Sequence, residues 1–185
     1  LGSGPGWISI QGSGDPDCWL LWYSPYHDKL SQVMEYQDTG GQLWKQGNYQ
    51  GAIEQYQAAL TLEPEGHTKG SLLHSVGRCL YNLSRYDEAF ETLQGALPFL
   101  PGAHWTTAWT QATLGYIYLE RGENEKAVEE FKAVIAMEAT ANSVAWAQDG
   151  LYLARGETPP PEIALASYSM DDDAEGNGNG YLDPG

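Results

Sequence analysis

Between residues 33 and 141 apolar and small side chains recur at helical spacing, in runs broken by short polar turns. After Asn48, the residues Ala52, Ile53, Tyr56, Ala59 and Leu60 share one stripe, while Glu54, Gln55 and Gln57 face away. Further on, Val128, Phe131, Val134 and Ile135 alternate with Glu129, Glu130 and Lys132. The period predicts amphipathic helices, and the chain reads as all-α.

The pattern repeats. Gly40, Gly77 and Gly115 are each followed by an alanine at the same offset (Ala52, Ala89, Ala127), and four residues later by Tyr56, Leu93 and Phe131. Pro64, Pro101 and Ala139 occupy the next matching position. The units run 33–66, 70–103 and 108–141, each with two helices joined by a tight turn around Gly47, Ser84 or Gly122. Each glycine is expected to meet its alanine across the hairpin, where larger side chains would force the helices apart. Pro64 and Pro101 are expected to end their helices. A fourth unit begins with Trp146, Gly150 and Leu153, then breaks at Pro159-Pro160-Pro161, so 143–155 is expected to be a helix closing the array.

These offsets resemble the tetratricopeptide repeat, whose signature is an aromatic, then Leu-Gly, Tyr, Ala, Phe and Pro at fixed spacing. The third unit supplies Leu114-Gly115, Tyr118, Ala127 and Phe131, with Gln111 and Ala139 departing. The first supplies Tyr36, Gly40, Leu43, Ala52, Tyr56 and Pro64, with Thr39 departing; the second supplies Leu73, Val76-Gly77, Leu80, Ala89, Leu93 and Pro101. The resemblance implies an α–α superhelix of three repeats and a degenerate fourth. It also implies a concave face, lined by the first helices, that binds a peptide, loop or helix of a partner protein. Transferring the family's inner positions selects Gln37, Trp44 and Lys45 in the first unit and His74, Arg78 and Tyr81 in the second. In the third unit it selects Tyr116, with Trp109 one turn earlier. Aromatics and arginine contribute most at interfaces because they bury large rigid area and keep a polar handle. Chaperone-binding members of the family hold a terminal carboxylate with Lys and Asn. Only Lys45, Arg78 and Asn82 could do so here, and that specialisation is not expected.

Residues 1–32 form an extension containing Trp7 and the run Cys18-Trp19-Leu20-Leu21-Trp22-Tyr23. Leaving large side chains of this kind in water costs about 1.5–3 kcal/mol each. Trp7, Trp19, Leu21, Trp22 and Tyr23 are therefore docking residues, either folded back on the array or inserted into another subunit. The run is too short to span a bilayer, and no other stretch is long enough.

The charge narrows the partners. With 9 basic and 25 acidic side chains the formal charge is -16, which repels nucleic acid and anionic membranes. Apolar residues make up 42% of the chain, enough for a core. Cys18 and Cys79 allow one bridge at most. The acidity, the many Trp and Tyr, and a start at Leu1 suggest a processed chain working outside the cytoplasm, at a surface, in a periplasm or in an organelle lumen.

No catalytic residue and no cofactor is expected. The histidines His27, His67, His74 and His104 fall in separate elements, and no metalloprotease, phosphate-loop or nucleophile-elbow motif occurs. His67 and His104 fall in the linkers between repeats, and Cys79 is expected to be a small buried apolar residue. In the segment 156–185, Asp173, Glu175 and Asn177 precede Gly178 at alternate spacing, as in the first half of a calcium loop. Pro184 stands where the bidentate carboxylate belongs, so an acidic tail is the expectation and calcium the alternative. Function is thus expected to be non-catalytic binding or assembly. The alternative is a structural subunit of a fibre, sheath or large complex, self-associating through its edges and extensions.

Overall fold

The computed structural model describes residues 25–161 and Ile163. Seven α-helices follow one another: α1 (Pro25–Lys45), α2 (Tyr49–Thr61), α3 (Gly66–Asn82), α4 (Tyr86–Ala96), α5 (Trp105–Glu120), α6 (Asn124–Met137) and α7 (Ala141–Ala154). A 3₁₀ turn, Leu97–Phe99, follows α4. There is no strand among the described residues. Each helix packs on its neighbour in sequence, and α5 also packs on α3 and α7, giving an all-α superhelix of stacked pairs.

The turns recur because the same hydrogen bonds close them. Gly47 N–H donates to Trp44 O and Asn48 N–H to Leu43 O, both at 2.9 Å, the reversal that satisfies the last carbonyls of a helix. Ser84 and Arg85 bond in the same way to Tyr81 and Leu80, and Gly122 and Glu123 to Leu119 and Tyr118. The residue at the corner has a positive φ each time, 72° at Gly47, 57° at Ser84 and 72° at Gly122. Gly156 (φ 70°) and Glu157 repeat these bonds to Leu153 and Tyr152. The helix α7 therefore ends as α1, α3 and α5 do.

One packing expectation is corrected. A Cβ on Gly40, Gly77 or Gly115 would run into Tyr56, Leu93 or Phe131, not into the alanines, which are themselves fully buried. The glycines make room for the large side chain four residues past each alanine. Phe131 also fills the space over Gly150, so one ring joins the third hairpin to α7.

The prolines are corrected as well. The helix α2 stops at Thr61, with Glu63 in the left-handed region ahead of Pro64. Likewise α4 gives way to a 3₁₀ turn containing Pro98 before Pro101 is reached. Helix starts also lie earlier than the pattern of buried positions suggested. The first turn of α3 is polar and carries no stripe, so α3 takes in His67, placed by the sequence in a linker, and α1 begins at Pro25.

The core has two clusters. The first combines α1–α4 with Leu114 and Ile117 of α5; the second joins α5, α6 and α7 around Phe131 and Val134. Helix α5 is buried on most sides, and two of its hydroxyls turn back onto their own helix. Thr110 Oγ1 donates to Thr106 O (2.7 Å) and Thr113 Oγ1 to Trp109 O (2.8 Å), so these threonines are buried without losing their bonds. Cys79 is fully buried, and burial pushes its thiol up to about 12.

Candidate functional site

The first helices carry most of the aromatic residues selected from the sequence, and the structure brings four of the eight together. Arg78, on α3, places its guanidinium 4.9 Å from the ring centre of Trp44 on α1 and 5.3 Å from that of Trp109 on α5. One side chain thus links three successive first helices through cation–π contacts, each worth about 0.5–2 kcal/mol. Trp109 continues the row against Trp146 of α7, with ring centres 5.0 Å apart. Trp146 in turn stacks on Tyr116 at 4.5 Å. The Tyr116 hydroxyl donates to Trp146 O (3.0 Å) and lies 3.2 Å from Asp149 Oδ2. Burial, with the Asp149 carboxylate beside it, pushes this phenol well above its ordinary range. Trp44, Arg78, Trp109, Tyr116 and Trp146 are all half-buried, so the row is part of the surface.

Tyr81 is half-buried and tilted against Tyr86, ring centres 5.6 Å apart, and burial raises its phenol to about 12. Gln37 and Lys45 are half-buried on α1. His74 is the exception among the expected inner residues, being only 3% exposed. It sits between α3 and α5 with Nδ1 at 2.8 Å from Thr110 Oγ1. The Thr110 proton already goes to Thr106 O, so His74 Nδ1 is the donor and Nε2 carries the lone pair. Nε2 is buried and has no hydrogen-bond partner. Burial, reinforced by the Arg78 cation, holds this imidazole well below its usual range. His74 is therefore an interior residue joining two repeats. The offset that placed it on the inner face does not register how closely α5 approaches.

Two residues of the row were not among those selected from the sequence. Trp146 stands four residues before Gly150, as Tyr36, Leu73 and Gln111 stand before their own glycines. The signal was therefore present in the repeat itself. Asp149 has no counterpart at that offset and becomes visible only through its contact with Tyr116.

Three ion pairs lie away from this row. Arg85–Glu88, Arg121–Asp87 and Lys126–Glu123 connect exposed or partly exposed residues of the turns and second helices. Among the described residues, no three His, Cys, Asp or Glu side chains converge to hold a metal, and no helix is long and apolar enough to cross a membrane. Trp7, Cys18, Trp19, Leu21, Trp22 and Tyr23 lie outside the described residues, as do Asp173, Glu175 and Asn177.

Comparison with known proteins adds the following. Residues 68–137 match one family model described as Tetratricopeptide repeat, and residues 43–65 match a second with the same description. No curated protein matches the chain in sequence. Among solved structures, the second TPR domain of human RPAP3, in complex with the HSP70 peptide SGPTIEEVD, is similar with TM-score 0.57 and 20% identity. That match covers 69% of this chain and 98% of the other. The first TPR domain of human RPAP3 is similar with TM-score 0.54 and 16% identity, over 76% of this chain and 96% of the other.

Proposed function

Because this chain belongs to the tetratricopeptide repeat family, we propose that it is a non-catalytic protein-binding subunit whose inner face receives a segment of a partner protein. The observation that carries this reading is the half-buried row Trp44–Arg78–Trp109, in which flat apolar surface surrounds one cation. Such surfaces gain affinity by burying rigid rings and a delocalised charge together. The peptide held by the similar RPAP3 domain supports a peptide as the class of ligand. The bound chemistry differs here. A chain with formal charge -16 and only Lys45 and Arg78 among its selected inner cations favours a neutral or basic apolar segment over an acidic one.

The test is selection of binding peptides from a displayed library against the full chain, followed by affinity measurements on variants. Trp44→Ala, Arg78→Ala and Trp109→Ala are each expected to weaken the selected peptide about tenfold or more, the scale of an interface hot spot. Asp87→Ala, on the outer surface, is expected to leave affinity unchanged. A selected peptide indifferent to all three inner substitutions would place the binding face elsewhere.

A further inference from the structure

A second surface lies at the start of the array. Helix α1 has 21 residues and its partner α2 has 13. At 1.5 Å per residue the first helix overhangs its partner by about 12 Å. Leu30 (39% exposed) lies on the overhang and Met34 (57%) just past it, two of the four large apolar side chains most open to solvent among the described residues. Beside it, where α2 turns into α3, is a depression of about 190 Å³ lined by Leu30, Val33, Leu62, Pro64 and Thr68 together with the charged Lys29, Glu63 and Glu65. Small-molecule sites run to roughly 300–1,000 Å³. This one suits one or two side chains of a protein segment.

The nearest chemistry of that kind is in the same chain. Trp19, Leu20, Leu21, Trp22 and Tyr23 end two residues before Pro25, the first residue of α1. At about 3.5 Å per residue, Trp22 reaches roughly 10 Å from Pro25 and Trp19 roughly 20 Å. Leu30 and Met34 sit about 8 Å and 14 Å along the helix from the same point. The tether holds these rings at about millimolar local concentration, far above that of a separate partner.

We propose that residues 19–23 fold back across the overhang of α1, with Trp22 or Trp19 entering the depression between Val33 and Pro64. The segment acts as an intramolecular cover for the open edge of the first repeat. This contact is independent of the inner face, and its failure would leave the peptide-binding reading untouched.

The experiment uses the full chain with a photoreactive benzoylphenylalanine at position 22. After irradiation, mass spectrometry is expected to find cross-links to residues 29–34 or 62–68 within one chain, at a yield independent of protein concentration. In parallel, Trp19→Ala/Trp22→Ala is expected to speed amide hydrogen exchange several-fold in 29–34 and 62–68, with 105–137 unchanged. Cross-links that grow with concentration would assign the segment to a second copy and overturn the proposal. So would cross-links elsewhere on the chain, the absence of any, or exchange unaltered by the double substitution.

Discussion

Trp44 and Trp146 stand at opposite ends of one aromatic row and are held in different ways. At the α1 end the ring faces a guanidinium on a long, rotatable side chain. At the α7 end the ring stacks on Tyr116, whose hydroxyl is fixed by a backbone carbonyl and by Asp149. Arginine can swing away from an indole at modest cost, whereas a stacked, hydrogen-bonded pair gives up several favourable contacts at once. The α1–α3–α5 end is thus joined through the single side chain of Arg78. The α5–α7 end is largely satisfied by its own side chains.

The glycines provide the most severe way to break this contrast. Phe131 is fully buried, contacts Tyr116 edge-on, and fills the space over both Gly115 and Gly150, so it has nowhere to retreat. Gly150→Ala is expected to cost about 3 kcal/mol in urea unfolding. Gly77→Ala is milder, about 1 kcal/mol, because Leu93 can rotate and alanine favours a helix over glycine. Equal costs at the two sites would show that the ends are equally rigid.

Acid should loosen the junction between the two ends. The groups facing His74 are Arg78 on its own helix and Thr110 and Trp105 on α5, and none is an acid. Its folded pKa lies below 6.5, so the unfolded chain takes up the proton first on acidification. The contribution is intact above pH 6.5 and falls by about 1.4 kcal/mol per pH unit below it, until the folded pKa is reached. Urea midpoints between pH 7.5 and 5.5 should show this loss. His74→Asn, which keeps a donor toward Thr110 but cannot titrate, should reduce it.

Tyr116→Phe removes one hydroxyl and is expected to cost about 1 kcal/mol by the same urea measurement. Affinity for a peptide held at Trp44 and Arg78 should be unaffected, which sharpens the distinction between the ends. The smallest effect is expected at the surface. Asp87 is almost fully exposed beside Arg121, so Asp87→Ala should change stability by less than about 0.5 kcal/mol.

The fold was legible because stacking imposes a period. Gly40, Gly77, Gly115 and Gly150 must stay small wherever a large side chain crosses a neighbouring helix, and that constraint shows without a structure. What crosses was misjudged: alanine was the obvious small partner, yet the space belongs to Tyr56, Leu93 and Phe131. The first turn of α3 escaped notice because Gly66-His67-Thr68-Lys69 carries no apolar stripe. Of the half-buried row, sequence offsets had already named Trp44, Arg78, Trp109 and Tyr116. They could not separate a half-exposed position from a closed one, which depends on the approach of α5 to α3 and decides the case of His74.

The reversal at Arg155-Gly156-Glu157 repeats the two closing bonds of the three earlier corners. A corner of this shape fixes a heading: chain leaving it runs antiparallel to the helix just completed. After α1, α3 and α5 that heading leads directly into α2, α4 and α6. After α7 it meets Thr158-Pro159-Pro160, which form no helix, so the chain turns without a paired second helix following at once.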